Sequence, residues 1–199
     1  MLTHNQLPLS AVSYDSSTFN DLKFYIRHYH GLDLHRTDPE LFLSKSNSQF
    51  AYINLVNQDW SLRQKISGML DNLERFSFVH PDSESPGTQI GQGVFIYPKV
   101  SLYPSAVIGN DVIIHSMSAV PHNTTIGIGT YISGKVVIGG NTQIGSWCYL
   151  GLDTTIFDGI KISDHIKIGA CSVIKKNITK AGTWSTSYKK KLVNLNSDN

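Results

Sequence analysis

Three of the eight histidines in this 199-residue chain, His115, His122 and His165, fall where aliphatic residues recur at every sixth position. Imidazole titrates near neutrality, so it can take a proton from an attacking amine or hydroxyl at physiological pH. His122 stands two residues after the aliphatic Val120, and Asn123 beside it offers an amide dipole. His115 stands one repeat earlier, placed to orient His122 or an acceptor molecule. On the repeat alone, an exposed turn residue is the plainer reading of either histidine. A metal held on one edge of a three-repeat coil needs ligands separated by multiples of 18. His115, His122 and His165 differ by 7, 43 and 50, so no metal is expected. Cys148 and Cys171 are 23 positions apart, out of the same register. They read as reduced thiols, which fits a cytoplasmic location. Lys175, Lys176, Lys180, Lys189, Lys190 and Lys191 form the most basic part of the chain. Such a run suits phosphates, although a solvated tail is its commoner origin.

The element that positions these residues is the repeat itself. Fifteen six-residue units run without insertion from residue 90, each opened by a large aliphatic such as Ile90, Ile108, Val120, Ile138, Leu150 or Ile174. Four residues after each opener comes a small or β-branched residue, such as Val94, Ala106, Ser118, Thr130, Cys148 or Ser172. An amphipathic helix needs apolar spacings of three and four, which are missing here. A short strand followed by a turn does repeat every six if the chain winds on itself, and both marked positions then point inward. Three repeats close a coil of 18 residues and fifteen give about five coils. At roughly 4.8 Å per coil the prism is about 25 Å tall. Seven openers are followed by Gly, which suits a turn needing positive φ or a close backbone approach.

The first 88 residues lack the repeat and read as a small α/β, degenerate Rossmann-like domain. Strands are expected at 8–13, 50–56 and 75–79. Helices are expected from Thr18 to His30, from the cap and first turn at Asp38-Pro39 through Phe42, and from Asp59 to Leu70. The Pro/Ser/Gly-rich stretch at 81–88 marks the boundary. The β-helix then spans 89–178, and 179–199 is a C-terminal tail. A net charge of +2 argues against a nucleic-acid partner. No apolar run approaches the roughly 18 residues of a membrane span, and the N-terminal residues do not read as a secretory signal.

Both halves together resemble the hexapeptide-repeat sugar acyltransferases, the family of the sialic acid O-acetyltransferases and the bacillosamine-pathway N-acetyltransferases. The resemblance is strongest over VIIHSMSAVPHNTTIGIGTYISGKVVIGGNTQIGSWCYLG (112–151) and includes YINLVNQDWSLRQKI (52–66). It implies a left-handed parallel β-helix that binds acetyl-CoA as cosubstrate and an α/β domain that binds a nucleotide sugar. It further implies a homotrimer and a role in surface polysaccharide synthesis. His122 matches the family's catalytic base, with Asn123 and His115 beside it. Tyr131, Leu152 and Ala170 match positions that touch acetyl-CoA, and the Tyr131 hydroxyl can donate to the thioester carbonyl. Leu152 and Ala170 are 18 apart and so stack on one edge. The chain departs from the family in three places. The segment LSAVSYDSSTFND has no Gly where the family carries a Gly-rich loop. Pro121 and Asn123 replace acidic neighbours of the catalytic histidine. The WSTSYKKKL ending differs from the usual Gly-x-Pro-Ala. These departures are what a catalytically decayed trimeric scaffold or regulatory partner of the same fold would show.

Overall fold

A computed structural model describes residues 2–3, 7–13, 16–44, 50–56, 59–186 and 192–194. The chain divides into two compact units. One is Met1–Phe78 with Gln92–Val94, the other Val79–Gly91 with Phe95–Asn199.

The first unit runs β1 (Leu2–Thr3), β2 (Leu9–Val12), α1 (Ser16–His30), β3 (Leu34–Thr37), α2 (Pro39–Ser44), β4 (Ala51–Asn54), α3 (Trp60–Leu70) and β5 (Ser77–Val79). β2 and β4 are buried at every position, as parallel strands covered on both faces are. They form a parallel sheet in the order β3-β2-β4. The chain leaves β2 toward β3 on one side and returns to β4 on the other. The strand order thus reverses between β2 and β4, the kind of place where open α/β sheets bind ligands. α1 buries Phe19, Leu22 and Ile26 on one face. It stops at Gly31, whose positive φ (64°) lets its N–H return to the Arg27 carbonyl at 3.1 Å. Asp38 and Asp59 cap α2 and α3 by accepting from the amides of Glu40 and Leu62, each at 2.9 Å. Within the 52–66 segment, Asn54 and Arg63 bind each other's backbone. Arg63 is fully buried and donates to the carbonyls of Asn54 (3.0 Å) and Val56 (2.7 Å). Asn54 donates back to the Arg63 carbonyl at 2.8 Å. Tyr14, Asp15, Asn57 and Gln58, within the segments compared above, lie outside the described residues.

The second unit is the coil that the repeat predicts, the left-handed parallel β-helix of the resemblance. Its first face stacks Phe95–Ile96, Ile113–Ile114, Tyr131–Ile132, Tyr149–Leu150 and Ile166–Ile168. The second stacks Ser101–Leu102, Ala119–Val120, Val137–Ile138, Thr155–Ile156 and Val173–Ile174. The third stacks Gln89–Ile90, Val107–Ile108, Thr125–Ile126, Gln143–Ile144 and Lys161–Ile162. Register is one coil per strand, as in Ile114↔Ile132 and Ile126↔Ile144. The openers from Ile96 to Ile174 are buried. The coil also outruns the fifteen units. Glu84 bridges in parallel to Ser101 ahead of them, and Gly182–Thr186 adds a parallel strand behind, giving about six turns. The tail therefore starts as structure. Gly182–Thr186 also pairs antiparallel with Leu192–Asn194, whereas Lys189, Lys190 and Lys191 lie outside the described residues.

Two details explain residue choices within the repeat. Positive φ recurs every sixth residue from Gly87 to Cys171, through Met117, Asn123, Asn141 and Trp147, and none of these residues is β-branched. The seven glycines that follow openers are not among them; of the two reasons expected for Gly, only close approach holds. A Cβ on Gly127 would lie 2.5 Å from the Gly145 carbonyl carbon and the Ser146 nitrogen. Where the inward residue is Ser118, Thr130 or Cys148, its hydroxyl or thiol reaches a carbonyl of the next coil. Thr130 bonds the Gly145 oxygen at 2.8 Å, Ser118 that of Ser133 at 2.9 Å and Cys148 that of Ser163 at 3.2 Å. No helix among the described residues is long and apolar enough to cross a membrane.

Gly127→Ala is expected to destabilise the fold by about 1–3 kcal/mol through overpacking. Gly68→Ala, in open space on α3, should instead stabilise it by about 0.5–1 kcal/mol. Chemical denaturation of the two variants against the parent checks both signs.

Candidate functional site

His122 sits at the corner between the second and third faces, exposed to solvent. Its ring lies over Gly140, one coil on. A Cβ there would stand 2.8 Å from His122 Cε1 and 3.0 Å from Nε2. The backbone beneath is held by Asn141 N–H donating to the His122 carbonyl at 3.1 Å and by Gly140 N–H donating to Asp158 Oδ1 at 2.7 Å. Asn123 Nδ2 lies 3.3 Å from His122 Nδ1 and donates to Asn141 Oδ1 at 3.2 Å. The predicted pair His122–Asn123 is thus in contact.

His115 belongs elsewhere. It follows Ile114 on the first face, and its ring contacts are Tyr97 and Tyr131, not His122. It stacks on Tyr97 (4.1 Å between centroids, 16°), and its Nε2 stands 2.5 Å from the Tyr131 hydroxyl. Tyr131 in turn stacks on Tyr149 (5.6 Å, 17°), whose hydroxyl accepts from Ser133 Oγ at 3.3 Å. Burial pushes the His115 pKa down to about 4, because a charged imidazole would lose its hydration there. His115 is therefore neutral at pH 7 and paired with a phenol.

Leu152 and Ala170 stack on the corner that follows the first face. Cys171 N–H donates to the Leu152 carbonyl at 2.8 Å, and Leu152 projects over Gly134. Tyr131, Leu152, Ala170 and His115 thus share one face and its edge, while His122 and Asn123 occupy a different corner of the same prism. Sequence reading missed Tyr97, Tyr149 and Asn141, and took Gly140 as a place for a ligand to approach where the His122 ring lies instead. The signal was available: they lie 18 residues from His115, Tyr131, Asn123 and His122. Among the described residues no group of three or more His, Cys, Asp or Glu is arranged to hold a metal ion. Lys175, from the basic run, lies 5.2 Å above the Phe157 ring.

The family model described as the GMPPB C-terminal domain matches residues 79–186, more than half of the chain. No curated protein matches in sequence. Among solved structures, the acetyltransferase domain of PglB from Neisseria gonorrhoeae FA1090 is 21% identical with a TM-score of 0.77, over 88% of this chain and 95% of that one. A His-to-Asn mutant of perosamine N-acetyltransferase from Caulobacter crescentus, in complex with CoA and GDP-perosamine, is 16% identical with a TM-score of 0.79, over 97% and 99%. WeeI from Acinetobacter baumannii AYE is 16% identical with a TM-score of 0.60, over 93% and 99%. At these identities the likeness is one of fold.

His115 makes stability depend on pH. Its folded pKa of about 4 lies below the usual value near 6.5, so the unfolded chain binds the proton more readily. The stability of the neutral form is fully present above pH ~6.5 and is lost as pH falls toward ~4. Between those limits the parent should lose about 3 kcal/mol more than His115→Gln. Urea unfolding of both proteins at several pH values reads the difference; parallel curves would show that His115 titrates normally.

Proposed function

We propose a function on the premise that this chain belongs to the family of the GMPPB C-terminal domain: an acetyl-CoA-dependent acetyltransferase acting on an amino or hydroxyl group of a nucleotide-linked sugar. The observation that carries this reading is the exposed His122 ring, seated over a glycine at a corner of the coil. Such an imidazole is open to an incoming acceptor and anchored from below. A His-to-Asn mutant of similar fold binds CoA and GDP-perosamine, which supports the same pair of ligand classes here.

His122 takes the proton of the acceptor amine or hydroxyl as that group attacks the thioester carbonyl. The oxyanion of the tetrahedral intermediate accepts a hydrogen bond from the Tyr131 hydroxyl. On collapse the carbon–sulfur bond breaks, the imidazolium returns its proton to the CoA sulfur, and the acetylated sugar leaves. Acetyl-CoA lies along the first face and its edge, against Tyr131, Leu152 and Ala170. In one prism His122 lies at the corner between the second and third faces and Tyr131 on the first face, so a complete site needs a second prism beside the first. The second face supports such packing, with Val137, Phe157 and Val173 exposed; a homotrimer with three shared sites follows. The reversal of strand order between β2 and β4 suits a nucleotide site, and surface polysaccharide synthesis is the setting such a product fits.

The second reading is a catalytically decayed trimeric scaffold or regulatory partner. It is favoured by Asn123 in place of a carboxylate and by the Gly-free segment at 9–21, since such a loop brings backbone N–H groups to a phosphate with difficulty.

Acetyl transfer from acetyl-CoA across a panel of nucleotide-linked amino and hydroxy sugars, with CoA calorimetry alongside, separates the two. The enzyme reading expects turnover that falls by about 10²–10⁴ in His122→Ala. It also expects a comparable loss in Gly140→Ala, whose methyl displaces the ring. No CoA binding at millimolar concentration is the result that supports the scaffold.

A further inference from the structure

The mechanism above needs an unprotonated nitrogen on His122, and the side chains around the ring decide which nitrogen that is. An amide nitrogen donates hydrogen bonds and accepts none. Asn123 Nδ2 has two hydrogens and two acceptors in reach, Asn141 Oδ1 at 3.2 Å and His122 Nδ1 at 3.3 Å. In this arrangement Nδ1 is the acceptor, so the neutral ring carries its proton on Nε2. Nε2 is the nitrogen turned over Gly140, 3.0 Å from where a Cβ would stand. With a hydrogen in place it cannot serve as the base.

We propose that Asn123 and Asn141 form a latch that selects the His122 tautomer, with Asn141 as a positioning residue acting through Asn123. The inference rests on the acyltransferase reading only for its catalytic consequence. The latch has two self-consistent settings. In the one observed, Asn141 Oδ1 accepts from Asn123 Nδ2, Asn123 Nδ2 also donates to Nδ1, and Nε2 holds the proton. If both amides turn over together, Asn141 Nδ2 donates to Asn123 Oδ1. Asn123 Oδ1 then accepts from Nδ1–H, and Nε2 is free to take the acceptor's proton. Neither setting leaves a donor facing a donor; the one observed is the resting setting, and a bound acceptor tips it to the other.

The backbone makes the idea cleanly testable. Asn123 and Asn141 hold φ of 56° and 55°, a region that Asp tolerates as Asn does, and both are exposed. Asn→Asp therefore removes the donor at each position and keeps the shape. In Asn123→Asp the carboxylate only accepts, which draws the proton to Nδ1 and frees Nε2. In Asn141→Asp the carboxylate requires Asn123 to keep donating, which holds the proton on Nε2. A misplaced tautomer costs about 10⁴ in kcat in a buried serine-protease triad. At this solvated corner we expect kcat to rise on the order of tenfold in Asn123→Asp and to fall several-fold in Asn141→Asp. A merely structural role would move both variants the same way.

The deciding readout is ¹⁵N NMR of the His122 ring nitrogens in the full-length protein and both variants, at a pH where the imidazole is neutral. The latch expects Nε2–H in the parent and in Asn141→Asp, and Nδ1–H in Asn123→Asp. A parent ring protonated on Nδ1, or an Asn123→Asp ring still protonated on Nε2, would overturn it. Because the spectrum does not depend on turnover, tautomers that move as expected without any acetyl transfer would uphold the latch and count against the acyltransferase reading.

Discussion

Every corner of this coil is held by backbone hydrogen bonds between residues one turn apart. Thr125 N–H donates to the Thr142 carbonyl at 3.0 Å and Gly127 N–H to that of Ile144 at 2.9 Å; the same step recurs along all three faces. That ladder is the constraint the rest depends on. It holds the coil in strict 18-residue register and makes columns of the side chains. It also brings successive backbones so close at the glycine corners that a Cβ would collide. A two-residue strand contributes little alone, so stability arises from neighbours stacked in register.

The same register made most of the coil legible in advance. A buried aliphatic every sixth residue admits few other folds, and Ile96 through Ile174 are buried as that reading requires. What the pattern did not show was the work of the small inward residues. Thr130, Ser118 and Cys148 are placed for their bonds to carbonyls as well as for size. It also left open why Gly follows openers, since positive φ belongs instead to positions such as Asn123, Asn141 and Trp147. In the first unit, helices with capping Asp and a stopping Gly were readable from local chemistry. β3 was missed because only Leu34 of its four residues is buried, so LHRT carries almost no hydrophobic pattern.

The candidate site was half legible. His122 and Asn123 were found together because they are adjacent in sequence. The partner of His115 was misjudged because sequence proximity to His122 outweighed the coil register, which puts Tyr97 directly below His115 and Tyr131 diagonally above. A neutral, stacked histidine that meets a tyrosine hydroxyl and an exposed histidine latched by two amides are chemically different groups. One is half-buried and stacked on Tyr97; the other faces solvent beside the gap that Gly140 leaves for it. Their separation on one prism is what turns a structural repeat into an argument for shared sites.

That argument has a direct test in mixed oligomers. Subunits carrying His122→Ala and subunits carrying Tyr131→Phe, each poorly active alone, can be unfolded together, refolded as a mixture and assayed for acetyl transfer. If each site takes His122 from one prism and Tyr131 from the next, the mixture regains sites with both residues intact, and activity rises well above either parent preparation. A mixture no more active than the average of the two would place both residues within one subunit's site and contradict the account.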